Sequence, residues 1–202
     1  MKKKELELLL EKLEKPREPK AELEQYTTPS SIAADILFFA HMMGDIEGCV
    51  VADLGCGAGV FAIGASILGA REVYAVDVDK EMLSIAAENA KKAGVLITLL
   101  HMDVKDFDYS VDTVIQNPPF GAQKKHADRQ FLDTGIRVAK VIYTMHNSNT
   151  EDFVTSYLEG KGARITHKKH YKFPIHYTFH FHKKERMVFD VVLIRAVRDD
   201  ER

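Results

Sequence analysis

The sequence predicts an α/β fold in which a mostly parallel sheet of seven strands, with an antiparallel final strand, carries helices on both faces. Two observations lead to this prediction. From Cys49 onward, strand patterns alternate with helical patterns, which is typical of parallel βαβ units. Near the end, two strand patterns are joined through Pro174 and a segment rich in His and aromatic residues, which favours an antiparallel pair.

Each strand is predicted from a short, mainly apolar run, and each helix from apolar residues at helical spacing. The predicted strands are Cys49–Leu54, Glu72–Asp77, Val95–Met102, Val111–Gln116, Val141–Met145, Arg164–Lys172 and Met187–Val197. The helices that precede or connect them are Ser31–Met43, a helix that ends at Gly69, Lys80–Ala93, Ala127–Ala139 and Glu151–Leu158.

The N-terminal segment has its own pattern. Within residues 2–24, four leucines lie at helical spacing among charged residues, which predicts an amphipathic helix packed on the body of the protein. Pro16 and Pro19 are expected to end it. We therefore expect residues 1–45 to form a helical extension on a core domain of residues 46–202, within a single globular unit.

Composition excludes several functional classes. The chain has 202 residues, enough for one domain with a full core, and its 28 Lys and Arg nearly balance 30 Asp and Glu. That balance argues against a protein that binds nucleic acid by bulk charge. The two cysteines, Cys49 and Cys56, are too few for a disulfide framework or a multi-cysteine zinc site, so reduced thiols and a cytoplasmic location are expected. No apolar run is long enough for a membrane span.

Glycines and carboxylates follow the first three strands, at the edge where ligands bind in such sheets. They are Asp53, Gly55, Gly57 and Gly59 after the first strand, Asp77 with Val78 after the second, and Asp103 with Val104 after the third. Glycines there let the backbone approach a ligand closely and turn into a helix N-terminus. Asp77 is placed to bind a ribose diol, and Asp103 an adenine amino group.

The pattern Asp-x-Gly-x-Gly-x-Gly over residues 53–59 differs from the G-x-G-x-x-G of dinucleotide enzymes. An anion at Asp53 repels a diphosphate but suits a cofactor with an ammonium and a sulfonium, which points to S-adenosylmethionine. An ordinary tight strand-to-helix turn is the alternative, and the carboxylates at successive strand ends weigh against it.

The tetrapeptide Asn117-Pro118-Pro119-Phe120 is expected to be catalytic. Prolines stiffen the segment and donate no N–H, so the Asn117 side-chain oxygen and the Pro118 carbonyl can both accept from one planar NH2 group. Such a pair directs the nitrogen lone pair at a methyl donor without a strong base. Phe120 offers a stacking face for a flat substrate. A strand closed by a Pro-Pro turn explains neither the Asn nor the Phe.

These motifs resemble those of class I S-adenosylmethionine-dependent amino methyltransferases, which have a Rossmann-like fold, and more narrowly the methyltransferase-like protein 5 family. The narrower resemblance rests on Leu23-Glu-Gln-Tyr-x-Thr28, Val51-Ala-Asp-Leu-Gly-Cys-Gly57, Asp112-Thr-Val-Ile-x-Asn-Pro-Pro-Phe-Gly121, Phe181-His-Lys-Lys184 and Val192-x-Leu-Ile-Arg195. It implies N6-methylation of an adenosine in small-subunit ribosomal RNA, with a small Trm112-type activator protein as partner. By the same resemblance Gln25, Tyr26 and Thr28 close over the methionine part of the cofactor. Eukaryotic members have a proline where this chain has Thr27.

A basic segment is the candidate RNA surface. Residues 160–188 contain eight Lys and Arg but one acid, a formal charge of +7, with aromatic residues interleaved as in surfaces that track a backbone and stack bases. The lysines expected to bind RNA are Lys124, Lys125, Lys168, Lys169, Lys172, Lys183 and Lys184. A solvated hairpin whose aromatics pack inward is the alternative. The histidines of the segment have no accompanying Cys or carboxylate set, so no metal site is predicted.

The third strand is predicted to accept a partner. In the strand order of the resembled family it lies at the sheet edge, and residues 95–102 carry no formal charge with His neutral. Exposed apolar edges are normally blunted by Lys, Pro or a bulge. We therefore expect the activator protein to cover this edge by strand addition, with homodimerisation as the competing interpretation.

Two other functions remain open at this stage. An Asn-Pro-Pro-aromatic segment can hold any planar amino nitrogen, so a protein-glutamine N5 or guanine-N2 methyltransferase is the alternative enzyme. Phe120 favours a nucleobase, because glutamine enzymes of this kind usually carry Tyr there. A non-catalytic RNA-binding scaffold is the third possibility, and the set of Asn117 with three carboxylates speaks against it.

Overall fold

The computed structural model, which describes residues 1–16, 27–119, 127–178 and 184–199, contains one sheet of seven strands. Only the backbone is described for residues 127, 175–178 and 184–187. The strands are β1 (Val50–Leu54), β2 (Glu72–Asp77), β3 (Thr98–His101), β4 (Val111–Gln116), β5 (Ala139–Asn147), β6 (Ala163–Thr178) and β7 (Lys184–Arg198). The helices are α1 (Lys3–Glu11), α2 (Ser30–Met42), α3 (Val60–Ile67), α4 (Lys80–Ala93), α5 (Ala127–Val138) and α6 (Glu151–Gly160).

The strand order is β3-β2-β1-β4-β5-β7-β6. The first five strands in this order are parallel, while β7 runs antiparallel to both β5 and β6. The order reverses between β1 and β4, and ligands bind beside such a switch point. The predicted fold is confirmed, including the antiparallel final strand and the edge position of β3.

Two buried apolar clusters lie on opposite faces of the sheet, because alternate strand residues point to opposite sides. Ile115 and Tyr143 pack in one cluster with residues of α1, α2 and α3. Val114 and Ile142 pack in the other with residues of α5 and α6. Among the described helices, none combines the length and apolarity that crossing a membrane requires.

The N-terminal helix is shorter than predicted. It ends at Glu11, ahead of Pro16, so the expectation that the prolines end it is wrong. Leu6 and Leu10 are buried in the cluster that also contains residues of α2 and α3. Within residues 1–16, the helix stops where Lys12 closes the last turn with its N–H on the carbonyls of Leu9 and Leu10. The division at residue 45 stays a prediction.

The final hairpin is longer than predicted. Paired residues extend from Ala163–Arg198 to Thr178–Lys184, whereas the predicted strands stopped at Lys172 and began at Met187. In the sequence, Pro174 indicates a break between the two strands. It is tolerated because β6 is an edge strand, where a missing N–H need not cost a ladder hydrogen bond.

A buried ion pair holds the segment before β1 against the sheet. The Arg195 guanidinium donates to Asp45 through Nε at 2.8 Å and Nη2 at 3.1 Å. Tyr143 donates its hydroxyl to the same carboxylate at 2.5 Å. Both charged side chains are about nine-tenths buried, so each depends on the other for compensation of its charge. The pair fixes the end of α2 relative to β5 and β7.

Candidate active site

The loop between β1 and α3 turns tightly over the end of β2. Gly55 and Cys56 both donate their N–H to the Val76 carbonyl at 2.9 Å. Gly55 has φ +71°, and a Cβ there would lie 2.9 Å from the Phe131 ring. A side chain at this position would therefore meet both backbone strain and a clash. Phe131 belongs to α5, so that helix packs directly against the loop.

Two carboxylates accept backbone N–H groups of this loop and of the helix that follows it. Asp53 is 1% exposed, and its Oδ2 accepts the Ala62 N–H of α3 at 2.9 Å. Burial raises the pKa of Asp53 to about 7, and the nearby Asp77 adds to the shift. Asp77 accepts the Gly57 N–H at 2.8 Å, and burial raises its pKa as well. Both carboxyls therefore lie in poorly hydrated surroundings that favour their neutral forms, and a cation bound nearby would favour their ionised forms.

The predicted adenine end lies after β3. The Asp103 side chain is 37% exposed, and its Oδ1 accepts the Lys105 N–H at 3.1 Å. Val104, next to it, is buried, whereas Val78 after β2 is 57% exposed. The structure thus brings Asp77 and Asp103 to the ends of paired strands, as predicted, and the cofactor contacts of these residues remain predictions.

Asn117 is fixed by a residue far away in the sequence. Its Nδ2 donates to Thr28 Oγ1 at 3.1 Å, and Thr28 is 4% exposed just before α2. The Asn117 Oδ1 is buried and has no hydrogen-bond partner within the described part of the chain. Pro118 is buried and Pro119 half-buried. The hydrogen bond from Nδ2 to Thr28 fixes the orientation of the Asn117 amide. The buried Oδ1 is thereby available as a hydrogen-bond acceptor.

Asn89, a buried residue of α4 that no sequence motif indicated, connects the N-terminal segment to the loop between β1 and α3. Its Oδ1 accepts the Glu14 N–H at 2.8 Å. Its Nδ2 donates to the carbonyls of Glu14 and Ala58, both at 3.0 Å. The signal in the sequence is an Asn next to Ala90 within an alanine-rich helical pattern. The structure buries this Asn fully, and buried amides require hydrogen-bond partners.

The lysines predicted to bind RNA do not share one surface. Lys168 lies 3.0 Å from Glu151 of α6, and Lys169 lies 2.6 Å from Asp35 of α2. Since α2 and α6 cover opposite faces of the sheet, consecutive lysines of β6 point to opposite sides, as strand geometry requires.

The same segment is less cationic than its sequence indicates. Lys172 lies 2.5 Å from Asp190 on the neighbouring strand, and every Lys or Arg between residues 160 and 172 lies within 4 Å of a carboxylate. Phe173 is fully buried in the core. The expectation that the aromatics of this segment stack on RNA is wrong for Phe173, because the side-chain alternation of β6 turns it toward the core.

Several predicted site residues lie outside the described residues or lack a described side chain. Gln25, Tyr26, Phe120, Lys124, Lys125 and Lys183 belong to the first group, and Lys184 to the second. Their roles stay predictions.

The edge strand β3 is four residues long, shorter than the predicted Val95–Met102. Among the described strands it pairs with β2 alone, at Tyr74–Asp77. The backbone leaves α4 through Gly94 in a left-handed conformation and aligns with β2 from Thr98. Leu96, just before it, is 92% exposed. An apolar edge of this kind is a template for strand addition.

Comparison with known proteins agrees with this geometry. Residues 33–142 match the family model of the methyltransferase small domain. A zebrafish (Danio rerio) protein, the rRNA N(6)-adenosine-methyltransferase METTL5, is 34% identical, covering 96% of this chain and 98% of its own length. An uncharacterised protein of Methanocaldococcus jannaschii is 47% identical, covering 96% of this chain and 94% of its own length.

Solved structures extend the likeness to three dimensions. A candidate RNA methyltransferase of Pyrococcus horikoshii superposes with a TM-score of 0.92 at 40% identity, covering 98% of each chain. The magnesium protoporphyrin IX methyltransferase of Synechocystis, solved with bound S-adenosylmethionine, has a TM-score of 0.67 at 19% identity, covering 83% of this chain and 78% of its own. The second likeness is one of fold.

Proposed function

Because the chain belongs to the METTL5 family of rRNA N6-adenosine methyltransferases, we propose that it methylates the N6 amino group of an adenosine in small-subunit ribosomal RNA, with S-adenosylmethionine as methyl donor. The observation that carries this proposal is the Asn117 amide, whose nitrogen is bonded to Thr28 while its buried oxygen has no partner within the described residues. A buried acceptor left open costs free energy unless a ligand completes it.

Asn117 accepts one N–H of the substrate amino group through Oδ1, and the Pro118 carbonyl accepts the other. The two acceptors draw the planar nitrogen toward tetrahedral geometry and orient its lone pair. Thr28 makes this possible, because its bond to Nδ2 fixes which end of the amide faces the substrate. Catalysis is then positioning and electrostatics, without a strong base.

The loop of residues 55–59 and the carboxylates of Asp53, Asp77 and Asp103 fit S-adenosylmethionine. Close backbone approach is open at Gly57, where φ is +51° and none of the described atoms lies within 4 Å of the Cβ position. A cation near the buried carboxylates stabilises their ionised forms. When bound, the cofactor supplies an electrophilic methyl group. Gln25, Tyr26 and Thr28 are proposed to enclose its methionine part.

RNA is proposed to contact the basic residues around the site. The described lysines are ion-paired, but the Lys172–Asp190 pair is well exposed, at 75% and 63%. Exposed pairs contribute about 0–1 kcal/mol, so a phosphate can replace the carboxylate at little cost. Lys124, Lys125, Lys183 and Lys184 are proposed to extend this surface.

A small Trm112-type activator is the proposed partner at β3. The exposed Leu96 beside a four-residue edge strand supports strand addition there. A cytoplasmic location is also proposed, supported by the two free cysteines.

Residues 1–45 are proposed to form a helical extension of the catalytic domain.

The direct test is incubation of the chain, alone and with a Trm112-type activator, with ribosomal subunits and methyl-labelled S-adenosylmethionine, followed by nucleoside analysis. Asn117→Ala is compared with Asn149→Ala, a matched change at an exposed asparagine. We expect labelled N6-methyladenosine in small-subunit RNA, absent with Asn117→Ala and retained with Asn149→Ala. Label in protein glutamine or in guanine N2 would contradict the proposal.

A further inference from the structure

A row of polar side chains begins at the residue before Asn117 and consists of Gln116, Thr144, His146 and Asp128. Gln116, the last residue of β4, is fully buried, and its Nε2 donates to Thr144 Oγ1 at 3.1 Å. Gln116 Oε1 is buried without a partner within the described residues. Among those residues, Thr144 therefore provides the hydrogen bond that fixes the Gln116 amide.

The row continues along β5 to α5. Thr144 Oγ1 lies 2.7 Å from His146 Nε2. His146 Nδ1 lies 3.8 Å from Asp128 Oδ2, an approach longer than a hydrogen bond. Asp128 belongs to the first turn of α5. The row thus connects the carboxyl ends of β4 and β5 with the beginning of α5.

The direction of these hydrogen bonds follows from Asp128. A carboxylate near Nδ1 favours the imidazole tautomer with its proton on Nδ1, which makes Nε2 an acceptor. The Thr144 hydroxyl then donates to His146 Nε2 and accepts from Gln116. His146 is 3% exposed, and burial lowers its pKa to about 3, so the ring stays neutral at physiological pH. Each link has one donor and one acceptor.

The row and the Thr28 bond hold the end of β4 from opposite sides. Gln116 and Asn117 are consecutive, so their side chains point to opposite faces of the sheet. Thr144 bonds the first and Thr28 bonds the second. Rotation of the Asn117 oxygen away from the substrate would break the Thr28 bond, and displacement of the end of β4 that carries Asn117 would strain the Thr144 bond to Gln116.

We infer that Thr144 and His146 are positioning residues for methyl transfer, which act through Gln116 to fix the orientation of Asn117. The inference rests on the proposed function in one respect, that Asn117 receives the substrate amino group. Displacement of a reacting group by about 1 Å can reduce a rate by about 100-fold. Loss of one hydrogen bond in the row is expected to lower kcat by about tenfold.

The experiment compares Thr144→Val with Thr155→Val. Each change replaces a buried hydroxyl by a methyl group of similar shape, and the Thr155 hydroxyl, on α6, has no partner in the part of the chain that the structure describes. Thr144→Ser restores the hydroxyl at the first position. For each variant we measure kcat and RNA KM in multiple-turnover assays, the S-adenosylmethionine Kd and the melting temperature.

The expected result is a kcat about tenfold lower for Thr144→Val, with RNA KM and cofactor Kd within about twofold of Thr155→Val and recovery in Thr144→Ser. A kcat equal to that of Thr155→Val would overturn the inference. So would an equal loss in Thr144→Ser, or a loss that follows cofactor affinity and melting temperature, because either outcome indicates packing alone.

Two readouts do not need turnover, so failure of the proposed function can be recognised separately. Nitrogen NMR of His146 should show a neutral ring with its proton on Nδ1 that does not titrate between pH 5 and 8. Amide hydrogen exchange in residues 111–119 should be faster in Thr144→Val than in Thr155→Val. A titrating His146, or equal exchange in the two variants, contradicts the inference even if wild type methylates no adenosine.

Discussion

Replacement of Asp53 by Asn is expected to stabilise the protein at alkaline pH. Asp53 lies beneath the glycine loop, 1% exposed, and burial raises its pKa from 3.8 to about 7. A carboxyl that titrates higher in the folded than in the unfolded state destabilises the fold once it ionises. Asn keeps the acceptor for the Ala62 N–H and carries no charge.

The magnitude and its sign follow from the two pKa values. Below pH 3.8 the carboxyl is protonated in both states and costs nothing. Between pH 3.8 and about 7 only the unfolded state ionises, and stability falls by about 1.4 kcal/mol per pH unit. Above pH 7 the full cost of about 4 kcal/mol applies. Asp53→Asn should therefore exceed wild type by about 4 kcal/mol at pH 8, and the difference should vanish toward pH 4.

Urea unfolding at pH 4, 6 and 8 without cofactor measures this difference. Asp103→Asn, at a carboxylate that is 37% exposed, is the control and should change stability by less than about 1 kcal/mol throughout. A variant no more stable than wild type at pH 8, or a gain independent of pH, would refute the reasoning. Weaker S-adenosylmethionine binding by Asp53→Asn would indicate that the Asp53 charge contributes to cofactor binding at a cost in stability.

Three further predictions concern other parts of the molecule. Thr28→Val removes the acceptor for the Asn117 amide and should lower the single-turnover rate of methyl transfer by about tenfold. Thr28→Ser, which keeps a hydroxyl, should react at a rate near that of wild type. Leu96→Glu adds a charge beside the edge strand β3, at a side chain that is 92% exposed, and should abolish co-purification with a Trm112-type activator while the chain alone keeps its melting temperature; unchanged association would contradict the proposed edge contact. Arg195→Ala leaves the Asp45 carboxylate buried without its cationic partner, although Tyr143 still donates to it, and should cost about 3–5 kcal/mol in urea unfolding; a loss below about 1 kcal/mol would argue against the pair.

The order and type of the elements could be predicted from the sequence, because hydrophobic periodicity and glycine turns are local properties. Element ends were less accurate where pairing decided them. Pro174 reads as a break, yet its position on an edge strand allows β6 to continue to Thr178. The four residues of β3 follow from the part of β2 that they pair with.

The candidate site was predictable where its residues follow strands directly. Four polar residues lie at or just after the carboxyl ends of β1 to β4, and these ends meet at one edge of a parallel sheet: Asp53, Asp77, Asp103 and Asn117. The hydrogen-bond partners of these side chains could not be predicted from the sequence. The Thr28–Asn117 bond spans 89 positions, and sequence motifs carry no signal for a contact at that separation.

The sequence by itself determined the sheet, the glycine loop and the set of polar groups at the strand ends, because each depends on residue type and local spacing. Only the tertiary structure decided what those groups contact: Thr28 bonds the Asn117 amide, Thr144 bonds the neighbouring Gln116, and burial raises the pKa of Asp53. The charge of the basic segment shows the same division. Its +7 over residues 160–188 is a fact of the sequence, but folding brings acids from other elements onto Lys168 and Lys169. Electrostatic interaction depends on distance in space, which composition does not contain.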